Sequence, residues 1–271
     1  MPSKEETAAA LDYFKECNQK YTSESSLQLS DTVQKDLESL RANSFCIPSN
    51  AKNFYDFLEE VWNLIDKEWE NPSPKIQRLT EEGFSVYNGP SLRNVTYVSS
   101  FTKESIIKIR QFIVETEMKS MLEDYYSSNI GACNVRAYRY THSPDEKNTH
   151  IQENFDTTSQ FNQHKDGLLP GTIKIMIFKN RIADSLDSED GVTEIRVNNQ
   201  WISPCTGDSP SCLIFKPNIV MHRALRPSPG RIRDVIEVTI IPKLENDFPV
   251  VASGAHAGYP ENLRTHWSKT Q

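Results

Sequence analysis

Three short runs of alternating apolar residues, each with a chemistry-bearing side chain at its edge, constrain this chain more than any other feature. The first, Thr172-Ile-Lys-Ile-Met-Ile-Phe178, puts Ile173, Ile175 and Ile177 on one face and follows Phe161-Asn-Gln-His164-Lys-Asp166-Gly167 across a turn region holding Gly167, Pro170 and Gly171. The second, Ser211-Cys-Leu-Ile-Phe215, leads on to Val220-Met221-His222, and the third, Arg233-Asp-Val-Ile-Glu-Val-Thr-Ile-Ile241, begins with a basic residue eleven positions beyond that histidine. A period of two over runs this short reads as β-strands, and the turn residues between them read as antiparallel connections. The ends of neighbouring strands in one antiparallel barrel would then gather His164, Asp166 and His222.

The preceding half of the chain reads differently. Leu11, Phe14, Cys17 and Tyr21 recur at helical spacing, as do Val33, Leu37 and Leu40, and Phe54, Phe57, Leu58, Val61, Leu64 and Ile65 give a longer amphipathic face that ends before Pro72. A further helix is expected over Lys103 to Tyr126, with Thr102 as its N-cap and Ile106, Ile107, Ile109, Phe112, Ile113, Met118 and Met121 as its core positions. Between this helix and the histidine motif, Asn134-Val-Arg136-Ala-Tyr138-Arg-Tyr140 alternates so that Asn134, Arg136, Tyr138 and Tyr140 share a polar face.

Composition excludes several classes. The net charge of -7 is spread along the chain, and no basic stripe with interleaved aromatics occurs, which argues against a nucleic-acid surface. The start, Met1-Pro-Ser-Lys-Glu-Glu, lacks the apolar core of a signal peptide, and no run of eighteen apolar residues is present. A cytoplasmic protein without a membrane partner is expected. Five cysteines, Cys17, Cys46, Cys133, Cys205 and Cys212, form no C-x-x-C pair and read as thiols in a reducing compartment.

Two imidazoles and one carboxylate, with His164 and Asp166 on the same side of an extended segment, form a three-ligand face that suits non-haem Fe(II) and leaves the opposite coordination positions open. The same set could hold zinc or manganese in a cupin-like hydrolase or isomerase, or persist in a catalytically silent binding module. A basic residue after the distal histidine separates these readings, because a hydrolase has no need of it. Arg231 and Arg233 both fill that description. By alternation they share a face with Val235, Glu237 and Thr239, while Ile232, Ile236, Val238 and Ile240 point the other way. Pro229-Gly230 makes a turn ending near Arg231, which favours Arg233 as the first residue firmly inside the strand.

With the His164-x-Asp166 pair, the distal His222 and a following arginine, the segment of about 131–242 resembles the Fe(II)- and 2-oxoglutarate-dependent oxygenases. Upstream, Leu37-Glu-Ser-Leu-Arg41-Ala-Asn-Ser-Phe45-Cys-Ile47-Pro48 looks like the helix and first strand that open the phytanoyl-CoA hydroxylase-like branch. The resemblance implies a mainly β fold with a helical jacket (α+β): a double-stranded β-helix, the jelly-roll or cupin-like barrel, with N-terminal helices packed on it. Residues 1–271 would form a single domain, with a helical part to about 130, the barrel core with its metal site over about 131–242, and a tail over 243–271 able to fold over the barrel mouth.

The resemblance also implies roles. His164, Asp166 and His222 would bind Fe(II), and Arg233 or Arg231 would hold the far carboxylate of 2-oxoglutarate, with Tyr138 and Lys174 as further cosubstrate contacts. Arg136, Tyr140 and Glu237 would line the substrate side. The expected reaction consumes O2 and 2-oxoglutarate, releases succinate and CO2, and oxidises an unactivated C–H bond of a small-molecule metabolite, of the kind met in secondary metabolism, by hydroxylation, desaturation or cyclisation. Halogenating relatives replace the carboxylate ligand with a small residue, so Asp166 argues against chlorination. A substrate carboxylate would suit Arg136, and the protein is expected to act as a monomer or homodimer. His142, His150, His256 and His266 fall in loop or tail segments and read as solvated.

Overall fold

The structure is a computed structural model that describes residues 4–21, 29–70, 95–98, 103–141, 163–166, 168–179, 193–204, 212–225 and 232–244. Its elements, in chain order, are helices α1 (Lys4–Lys20) and α2 (Asp31–Asn43), strand β1 (Phe45–Cys46), a 3-10 turn (Ser49–Phe54), α3 (Tyr55–Glu70), β2 (Val95–Val98), α4 (Lys103–Glu115) and α5 (Met118–Tyr126). Strands β3 (Asn129–Thr141), β4 (Ile173–Phe178), β5 (Thr193–Val197), β6 (Gln200–Ile202), β7 (Cys212–Phe215), β8 (His222–Ala224) and β9 (Ile232–Lys243) follow. They form two antiparallel sheets, a six-stranded one in the order β1-β7-β4-β9-β3-β2 and a three-stranded one in the order β6-β5-β8.

Strand alternation sorts the residues of the large sheet into two compartments. Ile173, Ile175 and Ile177 of β4, Cys212 and Ile214 of β7, and Ile236, Val238 and Ile240 of β9 face the helices. There they meet Leu37 and Leu40 of α2, Trp62 and Ile65 of α3, Phe112 of α4 and Met121 of α5. The opposite face turns toward the small sheet: Met176, Phe178, Leu213, Phe215 and Val235 pack with Ile195 of β5 and with Val220. Lys174, Arg233, Glu237 and Thr239 share this inner face and are all buried. So the antiparallel strands and their helical jacket match the expected class, while the described strands form two facing sheets rather than a closed barrel.

A β-bulge keeps the outer face of β3 apolar. Pairing with β9 steps from Ala132↔Ile240 to Asn134↔Thr239, leaving Cys133 as the extra residue. Ile130 and Ala132 before the bulge and Val135 and Ala137 after it therefore all reach the helix layer. The remaining helix, α1, closes one end of the molecule, where Ala10, Tyr13 and Cys17 pack with Cys133, Leu169 and Ile241. Gly171, at φ +78, is required here, since a Cβ would lie 2.8 Å from the Phe14 ring.

Two helix readings need correction. The buried stripe of α1 runs through Ala10, Tyr13 and Cys17, and Leu11 is 54% exposed. Small alanines let the chain sit close to the sheet end, so the bulky residue at 11 does not mark the core. The single helix expected from Lys103 to Tyr126 is two helices, because Glu117 adopts a left-handed conformation (φ 62). Its carboxylate accepts bonds from the backbone N–H and hydroxyl of Ser30 and from Asn50 Nδ2, and Thr116 donates back to the carbonyl of Phe112. These distant partners hold the break open. Thr102 lies outside the described residues.

The four described cysteines, Cys17, Cys46, Cys133 and Cys212, are buried and form no disulfide with one another, as expected of thiols. Among the described residues, no helix is long and apolar enough to cross a membrane. Truncating the core should separate buried from exposed positions. Phe112, fully buried and stacked on Phe57 at 6.4 Å, should cost about 3–5 kcal/mol when changed to alanine, whereas Leu11→Ser should change stability by less than about 0.5 kcal/mol. Urea denaturation of the two variants checks this assignment of the α1 face.

Candidate metal centre

A single antiparallel bridge assembles the site. The N–H of His164 donates to the carbonyl of His222 at 3.0 Å, and the N–H of His222 donates to the carbonyl of His164 at 3.0 Å. Residues paired this way face each other across neighbouring strands, so their side chains leave on the same side. The two imidazole rings accordingly sit 4.3 Å apart, centroid to centroid. Asp166, two residues on from His164, returns to that side, and its own N–H donates to the carbonyl of Pro217 at 2.9 Å. The turn before β8 is stitched to the same loop by Asn218, whose Nδ2 donates to the carbonyls of Leu168 and Leu169.

The donor atoms converge. Asp166 Oδ1 lies 3.6 Å from His164 Nε2 and 3.7 Å from His222 Nε2, and one ligand atom from each of the three residues falls within 4.8 Å of the others. Adjacent donors on an ion with bonds of about 2.0–2.2 Å stand roughly 3–3.5 Å apart, so a small inward shift closes the set. His222 is already in the right tautomer. Its Nδ1 lies 3.0 Å from the carbonyl of Val220, which can only accept, so Nδ1 carries the proton and Nε2 presents its lone pair to the site. Phe215 packs edge-on against that ring at 4.9 Å.

Protonation suits a cation as well. Burial, reinforced by His164 and Lys174 and opposed by Asp166, pulls the His222 pKa down to about 4, so the ring is neutral at neutral pH. Burial alone would push the Asp166 carboxyl up, but Lys174, His222 and His164 together bring it to about 2. An ionised carboxylate and a neutral imidazole thus face one another without a proton to displace. The donor set, its spacing and its charge all fit a divalent metal, and for Fe(II) they fit the two-histidine, one-carboxylate face.

Beneath the site runs a line of buried charge. Lys174 Nζ on β4 lies 2.6 Å from Asp166 Oδ2 and 3.2 Å from Glu237 Oε2 on β9, and Arg136 on β3 reaches Glu237 at 2.9 Å. Arg136 and Glu237 are direct cross-strand partners. Despite its burial, Glu237 is held below the usual carboxylate range by Arg136 and Lys174, and Lys174 is held above the usual lysine range by Asp166 and Glu237. Lys174, Arg136 and Glu237, separate expectations from the sequence, thus form one connected group with Asp166.

Arg233 sits apart from that group but in the same interior. It is 5% exposed, donates to Thr193 Oγ1 at 2.7 Å and lies over the Phe178 ring at 5.6 Å. Thr193 pairs with Ala224 on β8, two rungs from the pair formed by Ile195 and His222. Two residues of strand span about 7 Å. Thr193, the partner of Arg233, therefore stands about 7 Å along β5 from the residue paired with His222. Arg231 lies outside the described residues, as do His142, His150, His256, His266 and the chain beyond Leu244. Tyr138 and Tyr140 enter through their strand positions alone, opposite Val235 and Arg233. Sequence reading had singled out neither Asn218 nor Thr193. Pro217-Asn218 carries a turn signal that could have flagged the former, and nothing local marks the latter.

No family model matches the sequence, and neither does any curated protein. Among solved structures, a candidate oxygenase from Shewanella oneidensis is similar at a TM-score of 0.50 and 13% identity, over 90% of this chain and 97% of that one. The non-heme alpha ketoglutarate dependent epimerase SnoN from nogalamycin biosynthesis follows at 0.49 and 10% identity, over 78% and 82% of the two chains. JOX2, solved in complex with 2OG, Fe and JA, gives 0.49 and 15% identity, over 83% and 74%. The likeness to the Shewanella protein, nearly end to end in both chains, is one of fold: the facing antiparallel sheets and their helical jacket form an architecture that the two proteins share.

Proposed function

We propose that this protein is a non-haem Fe(II)- and 2-oxoglutarate-dependent dioxygenase that oxidises an unactivated C–H bond of a small-molecule metabolite, by hydroxylation, desaturation or cyclisation, with release of succinate and CO2. The observation that carries this reading is the pairing of the His164, Asp166 and His222 face with an arginine, Arg233, buried on Thr193, two rungs of β5 from the residue that pairs with His222. A hydrolytic zinc or manganese site has no use for that arginine. Bound iron would activate O2 and, with 2-oxoglutarate, supply the oxidising equivalents.

The chain's own residues divide the remaining work. His164, Asp166 and His222 would supply three ligands on one face and leave the other side for cosubstrate and O2. Arg233, planar and always charged, would take the far carboxylate of 2-oxoglutarate in a two-toothed pair, with Thr193 fixing the plane of the guanidinium. Arg231, Tyr138 and Lys174 are the further cosubstrate candidates. Phe178, Phe215 and Val235 line the inner compartment and would keep water from the reacting atoms. The substrate would enter beside Arg136, whose side chain keeps 22% of its surface exposed while holding Glu237, and Tyr140 is the further substrate-side candidate. A single-domain monomer or homodimer, the jelly-roll barrel and the phytanoyl-CoA hydroxylase-like branch belong to the same proposal and rest on the sequence resemblance.

Two measurements test it. Anaerobic addition of Fe(II) and then 2-oxoglutarate should give the weak visible charge-transfer band of a chelated 2-oxo acid, and His164→Ala should remove the band from a protein that remains folded by circular dichroism. Folded, metal-loaded protein without the band would rule out this function in favour of a hydrolase or isomerase. Arg233→Ala should weaken 2-oxoglutarate binding about ten- to a hundredfold, the loss of a sheltered guanidinium–carboxylate pair of about 1.5–3 kcal/mol. A titration in which Arg233→Ala binds 2-oxoglutarate like wild type would move the anchor to another residue.

A further inference from the structure

A carboxylate that ligates a metal through one oxygen has a second oxygen to account for. In Asp166 that oxygen is Oδ2, and the Lys174 ammonium stands 2.6 Å from it, while Oδ1 faces Nε2 of both histidines at 3.6 and 3.7 Å. Lys174 is itself gripped from behind. Glu237 Oε2 lies 3.2 Å from the same ammonium, and Arg136 holds Glu237 at 2.9 Å from the neighbouring strand. Four side chains from β3, β9, β4 and the ligand loop thus alternate in sign, Arg136, Glu237, Lys174 and Asp166, and sum to zero (two positive, two negative). Lys174 and Glu237 are 7% and 4% exposed, which leaves the lysine little freedom to take another position.

We propose that Lys174 is a positioning residue of the metal centre: by occupying Oδ2 of Asp166 it commits that carboxylate to one-oxygen ligation through Oδ1, and Glu237, braced by Arg136, holds the lysine in register. This rests on the metal reading above and goes beyond it, since it gives Lys174 to the ligand carboxylate instead of to the cosubstrate. The physical consequence concerns coordination number. A two-oxygen aspartate would consume a position on the open side of the ion; a carboxylate turned by Lys174 cannot. Glu237 has a second effect, because it draws the ammonium's charge away from the cation site and so limits the repulsion between Lys174 and the metal.

Co(II) serves as the probe, because its visible absorption reports coordination number and its affinity can be measured by competition with a chromophoric chelator without turnover. In Lys174→Met, Co(II) should bind about ten- to a hundredfold more weakly, the usual cost of losing a partner that orients a ligand, and its visible band should change in intensity and position. Glu237→Gln should shift both readouts in the same direction by a smaller factor. The double variant Lys174→Met, Glu237→Gln removes a positive and a negative charge together, and it carries the test if the single lysine variant does not fold. Folded Lys174→Met protein, or the folded double variant, that keeps wild-type Co(II) affinity and spectrum overturns the proposal, and a selective loss of 2-oxoglutarate binding alongside would make Lys174 a cosubstrate contact. Failure of the wild type itself to bind Co(II), with His164→Ala no different, is a separate result: it removes the metal reading and this inference with it.

Discussion

Everything specific about this site depends on one reciprocal pair of backbone hydrogen bonds, between His164 and His222. Metal ligands from remote parts of a chain converge only if the backbone between them is fixed, and side-chain contacts alone seldom achieve that. Here the bridge does it directly, because a strand pair puts two side chains on one side at a set separation. The remaining supports are local to it. Pro217 receives the Asp166 amide, Asn218 ties the carbonyls of Leu168 and Leu169, and Val220 fixes the tautomer of His222. All three belong to the turn between β7 and β8, so one short segment organises both the His164–Asp166 stretch and His222.

Burying four charges beneath such a site is expensive unless each is neutralised and hydrogen-bonded. Along the ladder from Arg136 to Asp166 each charge faces one of opposite sign, so removing any rung leaves a neighbour without its counter-charge. This explains why the inner face of the large sheet is mixed. Phe178, Phe215 and Val235 stand on it among Lys174, Arg233, Glu237 and Thr239, with Lys174 directly across the strands from Phe215 and Arg233 over the Phe178 ring. Apolar packing and paired charge thus share one compartment.

How much of this can be read from the sequence follows from range. His164, Asp166 and His222 are legible because the pair has strand spacing and each ligand adjoins a run with a period of two. The strands β4, β7 and β9 are legible for the same reason. Partners that depend on register are not: Arg136 meets Glu237, and Lys174 meets both carboxylates, only once β3, β9 and β4 are aligned, and alternation within a strand carries no information on alignment between strands. Arg233 could be chosen from the turn that precedes it, yet Thr193 could not be chosen as its partner. The helix break at Glu117 is hidden likewise, since the groups that stabilise it, Ser30 and Asn50, lie far back in the chain.

The bulge at Cys133 divides β3 into two stretches with different obligations. Downstream of it, Val135 must reach the helices while Arg136 must reach Glu237, so the phase of that stretch is tied to the charge ladder. Upstream, Ile130 and Ala132 answer only to the helix layer, and the extra residue absorbs the mismatch between the two. The bulge is therefore an expansion joint. A homologue that gained or lost one residue between α5 and Cys133 could re-seat the strand's entry at this point and leave the downstream pleat unrotated. Length variation in the helical half of the molecule can accumulate there without turning a single ligand-supporting side chain out of the interior.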